Sequence, residues 1–131
     1  MPFTLARYAQ LRPFLYHLTA RANHSRIAEL RRLESTAVLL VASRSIDALR
    51  VRRRSHLPLR IGAHQVLVRD QAPLHAGNVA FAEGWNLADL VADLNRRVFF
   101  WPGGVQGPIS YGQRHFARYA VEMPLIIRVR A

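Results

Sequence analysis

Apolar positions recur at two different periods along this chain, and the switches between them divide it into short elements of both kinds. Leu5, Tyr8 and Leu11 stand at helical spacing within residues 2–12, and Pro13 stops the run, which predicts a short lead-in helix. Phe14–Thr19 then reads as a short buried strand. His17 and Thr19 lie two residues apart in it, so an extended backbone projects both to one face. From Asn23 to Leu33, the residues Ile27, Leu30 and Leu33 form one stripe with arginines opposite, as in an amphipathic helix. A second helix, Thr36 to Ala42, follows Ser35 as its N-cap.

The middle of the chain is less regular. Ile46 to Leu59 is crowded by Arg50, Arg52, Arg53 and Arg54 and fits a loop or an edge strand. Leu57–Ile61 and Gln65–Arg69 flank Gly62-Ala63 as a β-hairpin with Val66 and Val68 inward. Val79-Ala80-Phe81 predicts a further short strand. The clearest helix covers 86–97, where Leu87, Leu90, Val91 and Leu94 follow the i, i+3, i+4, i+7 rule after an Asn86 cap. It feeds a second key strand, Arg97 to Gly104, whose aromatics run into Pro102, Gly103 and Gly104. Ser110-Tyr111-Gly112-Gln113 fits a Ser-x-x-Gln capping box opening a helix that buries Phe116 and Tyr119 or Ala120. Met123 to Val129 is a closing strand. The order of elements gives an α+β chain without repeats.

Length changes the picture only by limiting it: 131 residues, half of them hydrophobic, suit one domain spanning 1–131 with one core. Cysteine is absent, so no disulfide framework, thiolate metal site or cysteine nucleophile is available, and a reducing cytoplasm is the expected setting. No apolar run approaches the roughly 18 residues of a membrane span, so no membrane partner is expected. Arg7 and Arg12 interrupt any signal-peptide pattern at the N-terminus.

The formal charge is +11, and all 19 basic residues are arginine. Such a balance fits either a polyanion-binding surface or a solvated basic face. Arg52, Arg53 and Arg54, with Ser55 and His56 beside them, are the candidate nucleic-acid contacts, and their guanidinium groups are expected to reach solvent.

The candidate chemistry gathers at two strand tips. His17 and Thr19 offer hydrogen-bonding groups on one face, while Phe99 and Trp101 share a face and Phe100 takes the other, where core packing is expected. A dinucleotide or similar small molecule would need both tips at one mouth. Each residue also has an ordinary structural reading: His17 as a core-edge histidine bonded to backbone, Tyr111 and Tyr119 as packing, Arg69-Asp70 as a local ion pair. The six histidines show no i, i+4 pair or acid at ligand spacing, so no metal is expected. No Ser sits in a Gly-x-Ser-x-Gly elbow, and Gly103, Gly104 and Gly107 lack phosphate-loop spacing, leaving a flexible turn.

Tyr16-His17-Leu18-Thr19, with Asn23 four residues after the Thr, resembles the His-x-Thr-x-x-x-Asn first motif of the bacterial DNA-modifying ADP-ribosyltransferases, the thymidine-modifying toxins. Val98-Phe99-Phe100-Trp101 and the helix from Gly112 to Ala120 look like the second motif of the wider ADP-ribosyltransferase fold. Taken over its whole length, with Arg69-Asp70-Gln71-Ala72-Pro73-Leu74 and Arg97 to Gly103, the chain most resembles an uncharacterised bacterial domain family of unknown function near those enzymes. The resemblance implies an ADP-ribosyltransferase-like split β-sheet core with flanking helices, and NAD as substrate in a cleft. His17 would hydrogen-bond the nicotinamide-side ribose, Thr19 and Asn23 would help hold the dinucleotide, and Phe99, Trp101 and Tyr111 would contact it. A nucleic acid or a protein would be the acceptor.

Breaking the glycosidic bond of NAD develops positive charge on the ribose, so such an enzyme needs a carboxylate, usually from a late strand. Leu125 to Arg130 contains no acid. Three explanations stand: a C-terminal portion carrying the acid is missing, the chain is inactive as a transferase, or another acid serves, with Asp70, Glu122 and Glu83 as candidates. The competing function class is a non-enzymatic basic nucleic-acid-binding module.

Overall fold

The computed structural model describes residues 2–131 and divides into two compact units, Met1–Arg21 with Phe99–Ala131, and Ala22–Val98. The architecture is mixed α and β: an antiparallel sheet, a hairpin and flanking helices. No helix among the described residues is long and apolar enough to cross a membrane.

The first unit is built on a four-stranded sheet. Its strands are β1 (Phe14–Thr19), β4 (Trp101–Gly104), β5 (Gly107–Pro108) and β6 (Leu125–Arg130), in the order β5-β4-β1-β6 with every pair antiparallel. Helix α1 (Leu5–Leu11) leads in, its first turn capped by the Thr4 hydroxyl, which accepts from the Arg7 N–H at 3.1 Å. Directly opposed residues share a sheet face. Tyr16 opposes Trp101, so both point to the side covered by α5 (Tyr111–Tyr119). There Trp101 lies 5.4 Å from the His115 ring, His115 lies 5.1 Å from Tyr119, and Tyr16 meets Phe116 edge-on. The Tyr16 hydroxyl also donates to the Gly104 carbonyl, which holds the end of β4 against β1. Tyr16, Leu18 and Tyr119 are buried.

The second unit contains α2 (His24–Leu30), α3 (Thr36–Ala42), the hairpin β2 (Leu57–Ile61) and β3 (His64–Val68), and α4 (Leu87–Asn95). Its core joins Leu40 of α3 to Leu59, Val66 and Val68 of the hairpin, with Leu39, Ala48 and Leu49 packed around them. The inward placement of Val66 and Val68 follows the expected alternation. Gly62 supplies the left-handed backbone at the turn, with φ +60. Ser35 caps α3 as expected, its hydroxyl accepting from the Val38 N–H. Asn86 and Asp89 form a reciprocal capping box at α4, each side chain accepting from the other's backbone N–H at 3.0 Å. His64, opening β3, sits 2.6 Å from a Glu29 carboxylate oxygen and 3.5 Å from the Ser25 hydroxyl, tying one face of α2 to the hairpin.

Four local expectations need correction. The second key strand begins at Trp101, not Arg97, because the chain is still unwinding from α4, with the Arg97 N–H on the Leu94 carbonyl. Val79–Phe81 is not a strand; it follows a single 3-10 turn, Ala76–Asn78, and joins neither sheet of the described residues. The Ser110 side chain makes no capping bond, since its backbone lies at φ 47 and ψ −120, outside the extended region from which a cap reaches the first turn. Gly103, Gly104 and Gly107 do not form a flexible loop but pair across the β4–β5 hairpin.

Candidate functional site

His17 is positioned by the middle of β1, with β4 on one side and β6 on the other. Its Nδ1 lies 2.9 Å from the Phe99 carbonyl oxygen, and its ring centroid lies 5.6 Å from that of Phe100. A histidine held by a main-chain carbonyl at one nitrogen has a fixed ring orientation and, when neutral, a defined tautomer with the proton on Nδ1. Thr19, two residues on, is buried on the same strand face. Directly opposite His17 on β6 stands Ile127, with Leu125 opposite Thr19. The face therefore combines one oriented imidazole, one hydroxyl, an aromatic ring and aliphatic flanks.

The aromatic assignments are inverted relative to the alternation expected from sequence. Trp101 belongs to the opposite face, stacked on His115, and is spent on packing. Phe100, expected in the core, is 36% exposed and lies against His17, and Phe99 contributes its carbonyl to His17 while its ring is 52% exposed. Phe100 and Trp101 do take opposite faces, as alternation requires; the roles are exchanged because α5 covers the Trp101 face, which no local period records. Tyr111 is exposed at the start of α5, with the Arg114 guanidinium 5.1 Å from its ring centre.

Asn23 lies in the second unit and serves its hairpin. Its side-chain oxygen accepts from the Leu67 N–H at 2.7 Å and its amide donates to the Leu67 carbonyl at 3.0 Å. Leu67 pairs with Pro58, a residue without a backbone donor, in the part of the hairpin register where the main chain points away from β2. Asn23 thus occupies the position that a third strand would take. The same commitment explains why it makes no side-chain cap on α2.

The candidate acids are separately engaged. An Asp70 oxygen accepts from the Ala72 N–H at 2.9 Å, and the other lies 3.4 Å from His56 Nδ1, so Asp70 closes a local turn. Glu122 is exposed in the 3-10 turn before β6, and Glu83 is exposed in a loop.

The expected solvent-facing arginine cluster is divided: Arg50 and Arg54 are exposed, while Arg52 and Arg53 are partly buried and turned to main-chain carbonyls, which corrects the reading for those two. Arg53 donates to the Arg69 carbonyl at 2.9 Å and to the Asn95 side-chain oxygen at 3.0 Å; burial lowers its pKa from the usual arginine value, and Asp70 opposes that shift. Arg52 donates to the Ala72 carbonyl at 2.7 Å and buries its Nε. Arg50 pairs with Asp89, and Arg54 alone of the triplet is exposed. Arg52 and Arg53 satisfy main-chain carbonyls in a segment with little regular structure of its own.

The hub of that arrangement, Asn95, escaped the sequence reading. It is 2% exposed, donates to the Leu49 carbonyl at 2.8 Å and accepts from Arg53. The signal was present: Asn95 stands four residues after Val91, on the apolar stripe of α4. No group of three or more His, Cys, Asp or Glu able to hold a metal occurs among the described residues.

Residues 13–120 match a family of unknown function, DUF7002, and the chain belongs to it. No curated protein and no solved structure matches the chain.

Proposed function

Starting from membership of a family without an assigned function, we propose that the first unit binds NAD on the His17 face of its sheet, within an ADP-ribosyltransferase-like core. The observation that carries this reading is the His17 imidazole, fixed by the Phe99 carbonyl and set beside the half-exposed Phe100 ring. In this reading His17 orients a ribose hydroxyl, Phe100 packs on the nicotinamide ring, and Thr19 supports the sugar edge from the same face. Phe100 replaces Trp101 as the stacking surface, because Trp101 is consumed by α5. Asn23 holds β3 rather than the dinucleotide.

Binding is better supported than transfer. Cleavage of the glycosidic bond needs negative charge near the ribose, and the residue facing His17 from β6 is Ile127. The sequence of the first unit carries one acid, Glu122, at the entrance to that strand. The alternative, a non-enzymatic nucleic-acid module on Arg52, Arg53 and Arg54, is weakened by the engagement of Arg52 and Arg53 with internal carbonyls.

Titration calorimetry with NAD tests the proposal. Saturable heat is expected, and His17→Ala should weaken affinity roughly 2- to 12-fold, the equivalent of an orienting hydrogen bond worth about 0.5–1.5 kcal/mol. Phe100→Ala should weaken it as well, and Trp101→Phe should not. An absence of heat at millimolar NAD, or unchanged affinity in His17→Ala, overturns the reading. Any NAD cleavage that persists in Glu122→Gln excludes Glu122 as the acid.

A further inference from the structure

We propose that the outer edge of β6 is a docking site for an extended acidic segment of a partner protein, which adds a strand to the sheet of the first unit. The inference does not depend on NAD binding. β6 is an edge strand among the described residues: all six of its residues pair with β1, and no described strand lies on its other side. Alternate residues of an antiparallel edge direct N–H and C=O groups outward, and these remain available to another chain.

Edge strands are ordinarily kept short, bulged or covered. This one is six residues long, enters the sheet behind Pro124, and is exposed along most of its length, with Ile126 at 50% and Val129 at 39%. The preceding turn adds Val121 and Met123, also exposed. The strand thus offers main-chain pairing and apolar side chains together, the two requirements of strand addition.

Charge selects the occupant. Arg128 and Arg130 are two residues apart and so share one face of the strand, opposing Tyr16 and Phe14 of β1. Arg128 rests 4.4 Å from the Phe14 ring centre, and both arginines are exposed. The whole unit carries seven arginines against a single acid, Glu122. A second copy of this chain would bring like charge to like charge across the new pair, which is unfavourable at directly opposed positions. An incoming strand with acids at every second position would instead place them beside Arg128 and Arg130 on one face, and apolar residues beside Ile127 and Val129 on the other. That alternation is the recognition rule proposed here.

The test uses a fluorescein-labelled peptide of four Val-Glu repeats, titrated with the full chain and read by anisotropy. Two peptides serve as controls: the same length and charge with proline at alternate valines, and four Val-Lys repeats. Saturable binding of the Val-Glu peptide, with at least tenfold weaker binding of both controls and slowed amide exchange along β6, is the expected result. Arg128→Glu/Arg130→Glu should reverse the preference toward the Val-Lys peptide. Should loss of the Phe14 contact unfold that variant, Arg130→Glu alone, at the exposed end of the strand, should still weaken the Val-Glu peptide several-fold. Equal binding of the proline peptide would reduce the site to charge attraction and overturn the proposal. So would no binding at millimolar peptide, competition by an oligonucleotide as effective as by unlabelled Val-Glu peptide, or self-association through β6 in sedimentation equilibrium.

Discussion

Replacing Asn23 with alanine removes both hydrogen bonds that the side chain makes to the Leu67 main chain, at 2.7 and 3.0 Å, and does so at a site 8% exposed. Each bond contributes a net ~0.5–1.5 kcal/mol, and more if water cannot replace it, so a loss of about 1–3 kcal/mol is expected. Asn23→Asp keeps the acceptor for the Leu67 N–H but sets a carboxylate oxygen against the Leu67 carbonyl. That contact disfavours the charged form and raises the folded-state pKa of the introduced acid. Because the folded state then binds the proton more tightly than the unfolded state, Asn23→Asp should lose stability as pH rises through the carboxylate range and recover toward wild type as pH falls. Urea unfolding of both variants across that range measures the effect. Amide exchange adds a local readout, since the Leu67 N–H should lose protection in Asn23→Ala beyond what the global change explains. An unchanged Leu67 amide, or a wild-type unfolding midpoint in Asn23→Ala, would refute the structural role and return Asn23 to the candidate ligand set.

Three further outcomes follow from the same reasoning. Asn95→Ala strands the Leu49 carbonyl and an Arg53 N–H in the interior, and should cost about 2–5 kcal/mol in chemical denaturation; with Arg53→Met in the same chain the combined loss should fall below the sum of the two, which a double-mutant cycle checks. Gly112→Ala would place a Cβ 2.8 Å from the Pro108 Cβ and 3.0 Å from the Trp101 Cβ, so a loss of about 1–3 kcal/mol and altered Trp101 fluorescence are expected, and a neutral result would mean that α5 shifts freely on β4. The Arg50 hydrogen bond, followed by the Asn86 N–H, lowers the Asp89 pKa from the usual carboxylate value, so the stability it supplies is present above the unfolded carboxylate pKa and lost as pH falls through the folded one. Asp89→Asn should therefore be less stable than wild type at neutral pH and converge with it in acid, as thermal melts across the pH range would report.

The hydrophobic and polar pattern by itself determined the elements whose signals are local. Ser35 before an apolar run, Asn86 before the stripe of α4, and Gly62-Ala63 between alternating strands each specify a cap or a turn through neighbours within four residues. Functional grounds asked only that the His17 strand and the aromatic one share a mouth, as sheet neighbours or across a cleft, and β1 lies beside β4. Tertiary structure decided how each polar group was used. Arg53 and Asn95 lie 42 residues apart in sequence and meet only because burying α4 brings Asn95 to carbonyls that an irregular segment cannot satisfy itself. Asn23 was free in principle to hold a ligand, and the unpaired edge of β3 claimed it. The alternation of Phe100 and Trp101 was local, but which of the two faces is covered was not: α5 packs on the Trp101 side and leaves Phe100 beside His17, because a strand's period does not record where a later helix docks.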